Sequence, residues 1–104
     1  MQRVKVSKEA AKELEEAAAW YEREQPGLGY RLIDAFEHAT QLLLEPNPPL
    51  TPIFGNAASL GGKKLILHRF PFSLITVQID KTITIVALAH HSRKPGYWTE
   101  RLSP

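Results

Sequence analysis

The sequence predicts an α+β domain in which a helical hairpin packs on a small antiparallel sheet, in the order β-α-α-β-β-β. Three observations predict it. Apolar side chains recur at helical spacing from Ala10 to Leu43, broken once by Pro26-Gly27. From Lys63 to His90 the chain instead alternates with period two and is rich in β-branched residues. A chain of 104 residues can build one core and not two, so residues 1–104 form a single domain and the helices must cover the sheet.

Each element follows in order. Gln2 to Val6 is a short alternating strand. Ser7 is placed to N-cap the first helix, with Glu9 in the first turn where the helix dipole favours an anion. Ala10, Leu14, Ala17 and Tyr21 form its apolar stripe, and Glu13, Glu15, Glu16 and Glu22 fall mostly on the other, solvent side. The helix is expected to stop near Gln25. A second helix starts around Leu28, carries Leu32, Ala35, Phe36, Ala39, Leu42 and Leu43 inward, and ends at Glu45-Pro46. The short Pro-Gly connection makes the two helices an antiparallel hairpin. Pro46 to Gly62 is a proline-rich crossing loop without evident chemistry. Strands are then expected over Lys63–Phe70, Phe72–Ile79 and Thr82–His90, with Pro71 at a strand edge and Asp80-Lys81 as a two-residue hairpin turn.

Composition removes several classes of function. There is no cysteine, so disulfides, zinc-thiolate sites and thiol nucleophiles are excluded. The N-terminus lacks the apolar core of a signal peptide, and no apolar run approaches the roughly 20 residues of a membrane span. A cytoplasmic domain without a membrane partner is the expectation. The net charge of +2 conceals an asymmetry. Residues 1–50 hold 6 Lys/Arg against 9 Asp/Glu, whereas residues 51–104 hold 7 against 2. Three of the four histidines lie in the basic half. Such a half suits a polyanionic or acidic partner, although an acidic helix pair neutralising a basic sheet within the fold gives the same pattern.

The basic residues gather at the end of the chain. The last strand runs straight into Ala89-His90-His91-Ser92-Arg93-Lys94-Pro95-Gly96-Tyr97-Trp98. Cations pair with phosphates, rings stack on bases, and imidazole moves protons near neutral pH. Strand parity sends His90 and His91 to opposite faces, so they cannot jointly chelate a metal. No metal or other cofactor is expected. Trp98 reads as an anchor for the chain end, and Arg101 as a partner for either a helix carboxylate or a ligand.

Read together, Trp20-Tyr21-Glu22 before Pro26-Gly27-Leu28-Gly29, then His68-Arg69-Phe70-Pro71-Phe72, then the stretch from Ala89 to Trp98 resemble the RelE/ParE superfamily of bacterial toxins from type II toxin–antitoxin modules. The resemblance implies a small basic, plasmid-stabilisation-type toxin neutralised by a cognate antitoxin. RelE-like members cleave mRNA on the ribosome without a metal, and ParE-like members share the fold but poison DNA gyrase. The principal expectation is therefore an mRNA endoribonuclease, with a non-enzymatic gyrase inhibitor, or a degenerate toxin acting only in its antitoxin complex, as the alternatives. For the nuclease, His68, His90, Arg93 and Tyr97 are the candidate catalytic residues, with Lys64, Arg69 and Lys94 on phosphate. Lys64, Arg93 and Tyr97 match the RelE-like pattern. Ile66 stands where that pattern has a second lysine and Ser73 where it has the hairpin arginine. Arg69 or His68 would have to substitute.

Overall fold

A computed structural model describes residues 3–53 and 55–102. In chain order it contains β1 (Arg3–Val6), α1 (Lys8–Glu24), α2 (Leu28–Leu43), β2 (Thr51–Pro52), α3 (Asn56–Ser59), β3 (Gly62–Ile66), β4 (Phe72–Ile79), β5 (Thr82–His90) and a closing 3-10 turn, Thr99–Leu102. The α+β class and the helical hairpin are as expected. Gln2, expected in the first strand, and Phe54, in the crossing loop, lie outside the described residues.

Ser7 caps α1 as the sequence predicts, its side chain accepting from the Ala10 amide at 3.1 Å. Glu22 does not face solvent as expected. Its two carboxylate oxygens accept the amides of Gly27 at 2.8 Å and Gly29 at 3.0 Å. The side chain of one helix thus satisfies the orphan donors at the start of the next, where the dipole also favours an anion. Gly27 turns the chain at φ 89°, and Gly29 lies where a Cβ would run into the Ala18 carbonyl and the Glu22 side chain. The two glycines and Glu22 are one device: a helical hairpin closed to backbone contact.

The sheet has the order β1-β5-β4-β3-β2. It is mixed, not wholly antiparallel: β1 pairs with β5 in parallel, Val6 opposite Ile85. The helical hairpin carries the chain to the far edge, so the antiparallel strands β3, β4 and β5 step back across the sheet until β5 lies beside β1. The crossing loop carries structure that a two-residue pairing cannot announce in sequence: Thr51 and Pro52 pair with Lys64 and Lys63 as an edge strand, where proline is tolerated. The second predicted strand, observed as β3, is shorter than Lys63–Phe70. It stops at Ile66 because Leu67 to Pro71 form the turn into β4, with Arg69 at φ 72°. Between β4 and β5, Asp80 turns the chain at φ 55°, a conformation Asp tolerates better than most residues.

Pairing slips between β4 and β5: Ile75 opposes Ala87 but Thr76 opposes Ile85, leaving Val86 as the extra residue of a bulge. One sheet face packs Leu65, Leu74, Ile83, Ile85 and Leu88 against Leu32, Phe36 and Leu43 of α2 and Ala10 of α1. The opposite face presents Ile75, Val77, Val86, Ala87 and Ala89 to Trp98 and Leu102 of the C-terminal segment. Trp98 therefore anchors the tail. Burying one such ring is worth about 3–5 kcal/mol by truncation, enough to hold a short strap down. No helix among the described residues is long and apolar enough to cross a membrane.

Gly29→Ala tests the closed hairpin. The added methyl must push the Ala18 carbonyl and displace the Glu22 cap, so a loss of about 2–3 kcal/mol is expected in urea unfolding. A loss below about 0.5 kcal/mol would mean that the helices part freely.

Candidate functional site

β3 and β5 end where β4 begins, and on the sheet face away from α1 and α2 the C-terminal segment crosses in front of them. The result is an open cleft of about 390 Å³ lined by Lys64 and Ile66 of β3, Ser73 and Ile75 of β4, Ala89 and His90 of β5, and then His91, Arg93, Lys94, Pro95, Tyr97 and Trp98. Register explains the floor. Lys64 is opposite Ile75 and Ile66 opposite Ser73, so the positions singled out on β3 and β4 share one face. A larger groove of about 950 Å³ continues from Lys64 and Lys94 towards Pro52 and Ile53.

The two histidines part as strand parity requires. The His90 ring meets Phe72 edge-on, 5.0 Å between centroids, and its Nδ1 accepts the Ser92 amide at 3.0 Å. That leaves the proton of a neutral His90 on Nε2. His91 Nε2 lies 2.9 Å from the Ser73 hydroxyl. His91 thus reaches the cleft floor, whereas His90 borders the cleft and leans on the helix-side core. His91 is absent from the expected site residues. A signal was available: the same parity that separates the pair puts one of them on Ser73's face.

Lys64, Arg93, Lys94 and Tyr97 come together around this cleft. His68 and Arg69 do not join them. Both are exposed in the β3–β4 turn and line a separate groove with α2. They are therefore not placed to stand in for an arginine at Ser73. Among the described residues no three His, Asp or Glu side chains gather as metal ligands.

Glu13 organises the cleft from behind. Its Oε2 accepts the Tyr97 phenol at 2.7 Å, and its Oε1 accepts Arg101 at 3.0 Å and the Leu88 amide at 3.1 Å. Arg101 also donates to the Val86 carbonyl at 3.0 Å, which places it with a helix carboxylate. Arg93 stacks over the Tyr97 ring, 3.9 Å from its centroid, and comes within 3.9 Å of Glu13. At that separation and 58% side-chain exposure the ion pair is worth little, so the Arg93 guanidinium stays free to bind. Glu13 was expected on the solvent side of α1. It lies three residues from Ala10 and four from Ala17, on the flank of the apolar stripe, and the surplus of cations in the tail was the sequence signal for it.

Burial and the bond to Glu13 push the Tyr97 phenol up to about 12. A raised folded-state value means the stability this group lends is complete below its ordinary value near 10 and is lost as pH climbs towards 12. Ultraviolet titration should therefore find one tyrosine ionising near 12, and Glu13→Gln should bring it down. The same substitution removes the charge that Arg101 and Arg93 face, and a loss of about 2–4 kcal/mol is expected in denaturant unfolding. An unchanged tyrosine titration would contradict this geometry.

Comparison with known proteins fits the fold. The family model for the ParE toxin of the type II toxin–antitoxin system parDE matches residues 4–95. A chain of the chromosomal ParDE TA system from P. aeruginosa superposes with a TM-score of 0.71 at 22% identity, over 86% of this chain and 96% of that one. At that identity the likeness speaks for the fold alone. No curated protein sequence matches significantly. With nearly the whole of its folded core inside the family match, the chain belongs to the ParE toxin family of type II toxin–antitoxin systems.

Proposed function

We propose that the chain is a growth-arresting toxin that acts by binding DNA gyrase, is neutralised by a cognate antitoxin, and does not cut mRNA. This takes the alternative reading of the sequence over the principal one, and the floor of the cleft is what supports it. Metal-free cleavage needs a base for the 2′-hydroxyl, fixed positive charge for the phosphorane and an acid for the leaving oxygen. The two facing positions that bear a lysine and an arginine in the RelE-like pattern are here Ile66, a hydrocarbon that is 56% exposed, and Ser73, a buried hydroxyl bonded to His91. Losing one preorganised charge stabiliser typically costs on the order of 100- to 1,000-fold in rate.

The proton donor is compromised as well. Tyr97 donates a hydrogen bond to Glu13, and burial together with that bond pushes its phenol up to about 12, so it is a poor acid for a leaving oxygen. What remains at the cleft is Lys64, Arg93 and Lys94 around an exposed isoleucine, with His91 tied to Ser73 and His90 to Ser92. Cations rimming an apolar contact suit binding to a macromolecular surface. This reading puts the chain in the cytoplasm with its target.

A supercoiling assay with purified gyrase tests it, alongside 5′-end mapping of mRNA after induction in a bacterial host. Supercoiling should fail while mRNA ends stay unchanged. Ile66→Asp should weaken inhibition by roughly tenfold or more, since a buried contact at an interface centre commonly carries over 1 kcal/mol, whereas Ser73→Ala should leave it intact. Discrete, translation-dependent cuts within codons would sink the proposal and restore the nuclease.

A further inference from the structure

On the helix side of the sheet, away from the cleft, a second groove of about 610 Å³ lies between α2 and the β3–β4 turn. Its walls are apolar, with Tyr21, Leu28, Phe70 and Pro71, and its rim carries the cations Arg31 and Arg69 beside the imidazoles of His38 and His68. Asp34 is the single acid there. The two salt bridges among the described residues both use Glu13, so no carboxylate lies within ion-pair distance of these arginines. Arg69 is held at φ 72° although its side chain is exposed. A non-glycine residue seldom adopts that conformation without a reason. Such a groove is built for an apolar side chain flanked by carboxylates.

The chain carries that feature on its own surface. Trp20 is 51% exposed on α1, next to the groove-lining Tyr21, with ring centroids 5.0 Å apart. Glu16 and Glu24 lie one helical turn to either side of Trp20, both exposed, with Arg23 as the one cation within a turn. A lone half-exposed Trp is ordinary. A Trp between two free carboxylates, beside an apolar groove rimmed by free cations, is complementary to a copy of itself.

We propose that two copies of this chain associate through these features, the Trp20 ring of each seated in the groove between α2 and the β3–β4 turn of the other. Because knob and groove adjoin on one surface, a two-fold axis between the copies satisfies both contacts at once. Glu16 and Glu24 of one copy then meet Arg31 and Arg69 of the other. The contact leaves the cleft on the opposite sheet face open, and it holds whether the chain cuts mRNA or binds gyrase.

Sedimentation velocity on the full chain from about 1 to 300 μM tests this, with circular dichroism to verify that each variant folds. The native chain should shift from monomer to dimer with concentration. Trp20→Ala, the pair Arg31→Glu with Arg69→Glu, and the pair Glu16→Lys with Glu24→Lys should each raise the dissociation constant by roughly 100-fold, since like charges across an interface are strongly unfavourable. Mixing the two charge-reversed variants should restore the dimer, because every reversed groove then meets a reversed knob. A native chain that stays monomeric throughout overturns the proposal, as does a dimer that survives the reversals or a mixture that fails to pair. If groove variants instead lose capture by the co-expressed antitoxin while the native chain is monomeric, the groove belongs to the antitoxin and not to a second copy.

Discussion

The carboxylate of Glu13 is the point on which three separate parts of the molecule depend. It holds α1 against the Leu88 amide of β5, and through Tyr97 and Arg101 it fixes the segment that crosses the far face of the sheet. The need arises from strand length. β1 covers β5 only as far as Ile85, so beyond that point the last strand has an unpaired edge. Open edges are templates for unwanted pairing, and proteins blunt them with charge, bulges or covering chain. Here all three occur together: Val86 bulges, Arg101 takes its carbonyl, and Glu13 takes the next free amide.

Closing that edge also gives the sheet a second core. Ile75, Val77, Ala87 and Ala89 would face water on a plain helix-on-sheet domain. Trp98 and Leu102 cover them, and the polar bonds of Tyr97 and Arg101 hold the tail on either side of the buried ring. The cleft is a by-product of this closure. It lies where the strap leaves β5 and returns across it, so Arg93 and Lys94 are suspended over Lys64 and Ser73 with no element of their own. A site assembled on the exit of a strand inherits its rigidity from the sheet and its charge from the loop.

Much of this was legible in the sequence. β4, β5 and the start of α2 fall on the predicted residues, because strict alternation and a Pro-Gly break leave little ambiguity. Ser7 was readable as a cap for the same local reason. The misses share a cause. Helical periodicity identifies the apolar stripe but not what its flanks meet, so Glu13 and Glu22 looked like solvated acids although each binds backbone amides from another element. β2 makes two residue pairs with β3, too few for any pattern. The separation of His68 and Arg69 from Arg93 and Tyr97 is a matter of which sheet face each reaches, and the early end of β3 at Ile66 decided that.

The shared carboxylate bears on what the cleft can do. A residue that stabilises a transition state must be preorganised and also free to transfer its charge or proton. Tyr97 is preorganised but committed: ionising it would place a phenolate 2.7 Å from the Glu13 oxygen, in surroundings that already disfavour its charge. Arg93 stacks on Tyr97 and stays mostly exposed, which suits a group that finds its partner on arrival. Binding tolerates such looseness, since a cation contributes wherever it meets an anion, whereas catalysis does not. With Ile66 and Ser73 leaving Lys64 as the cation on the floor, the demands of binding are those this cleft meets more fully.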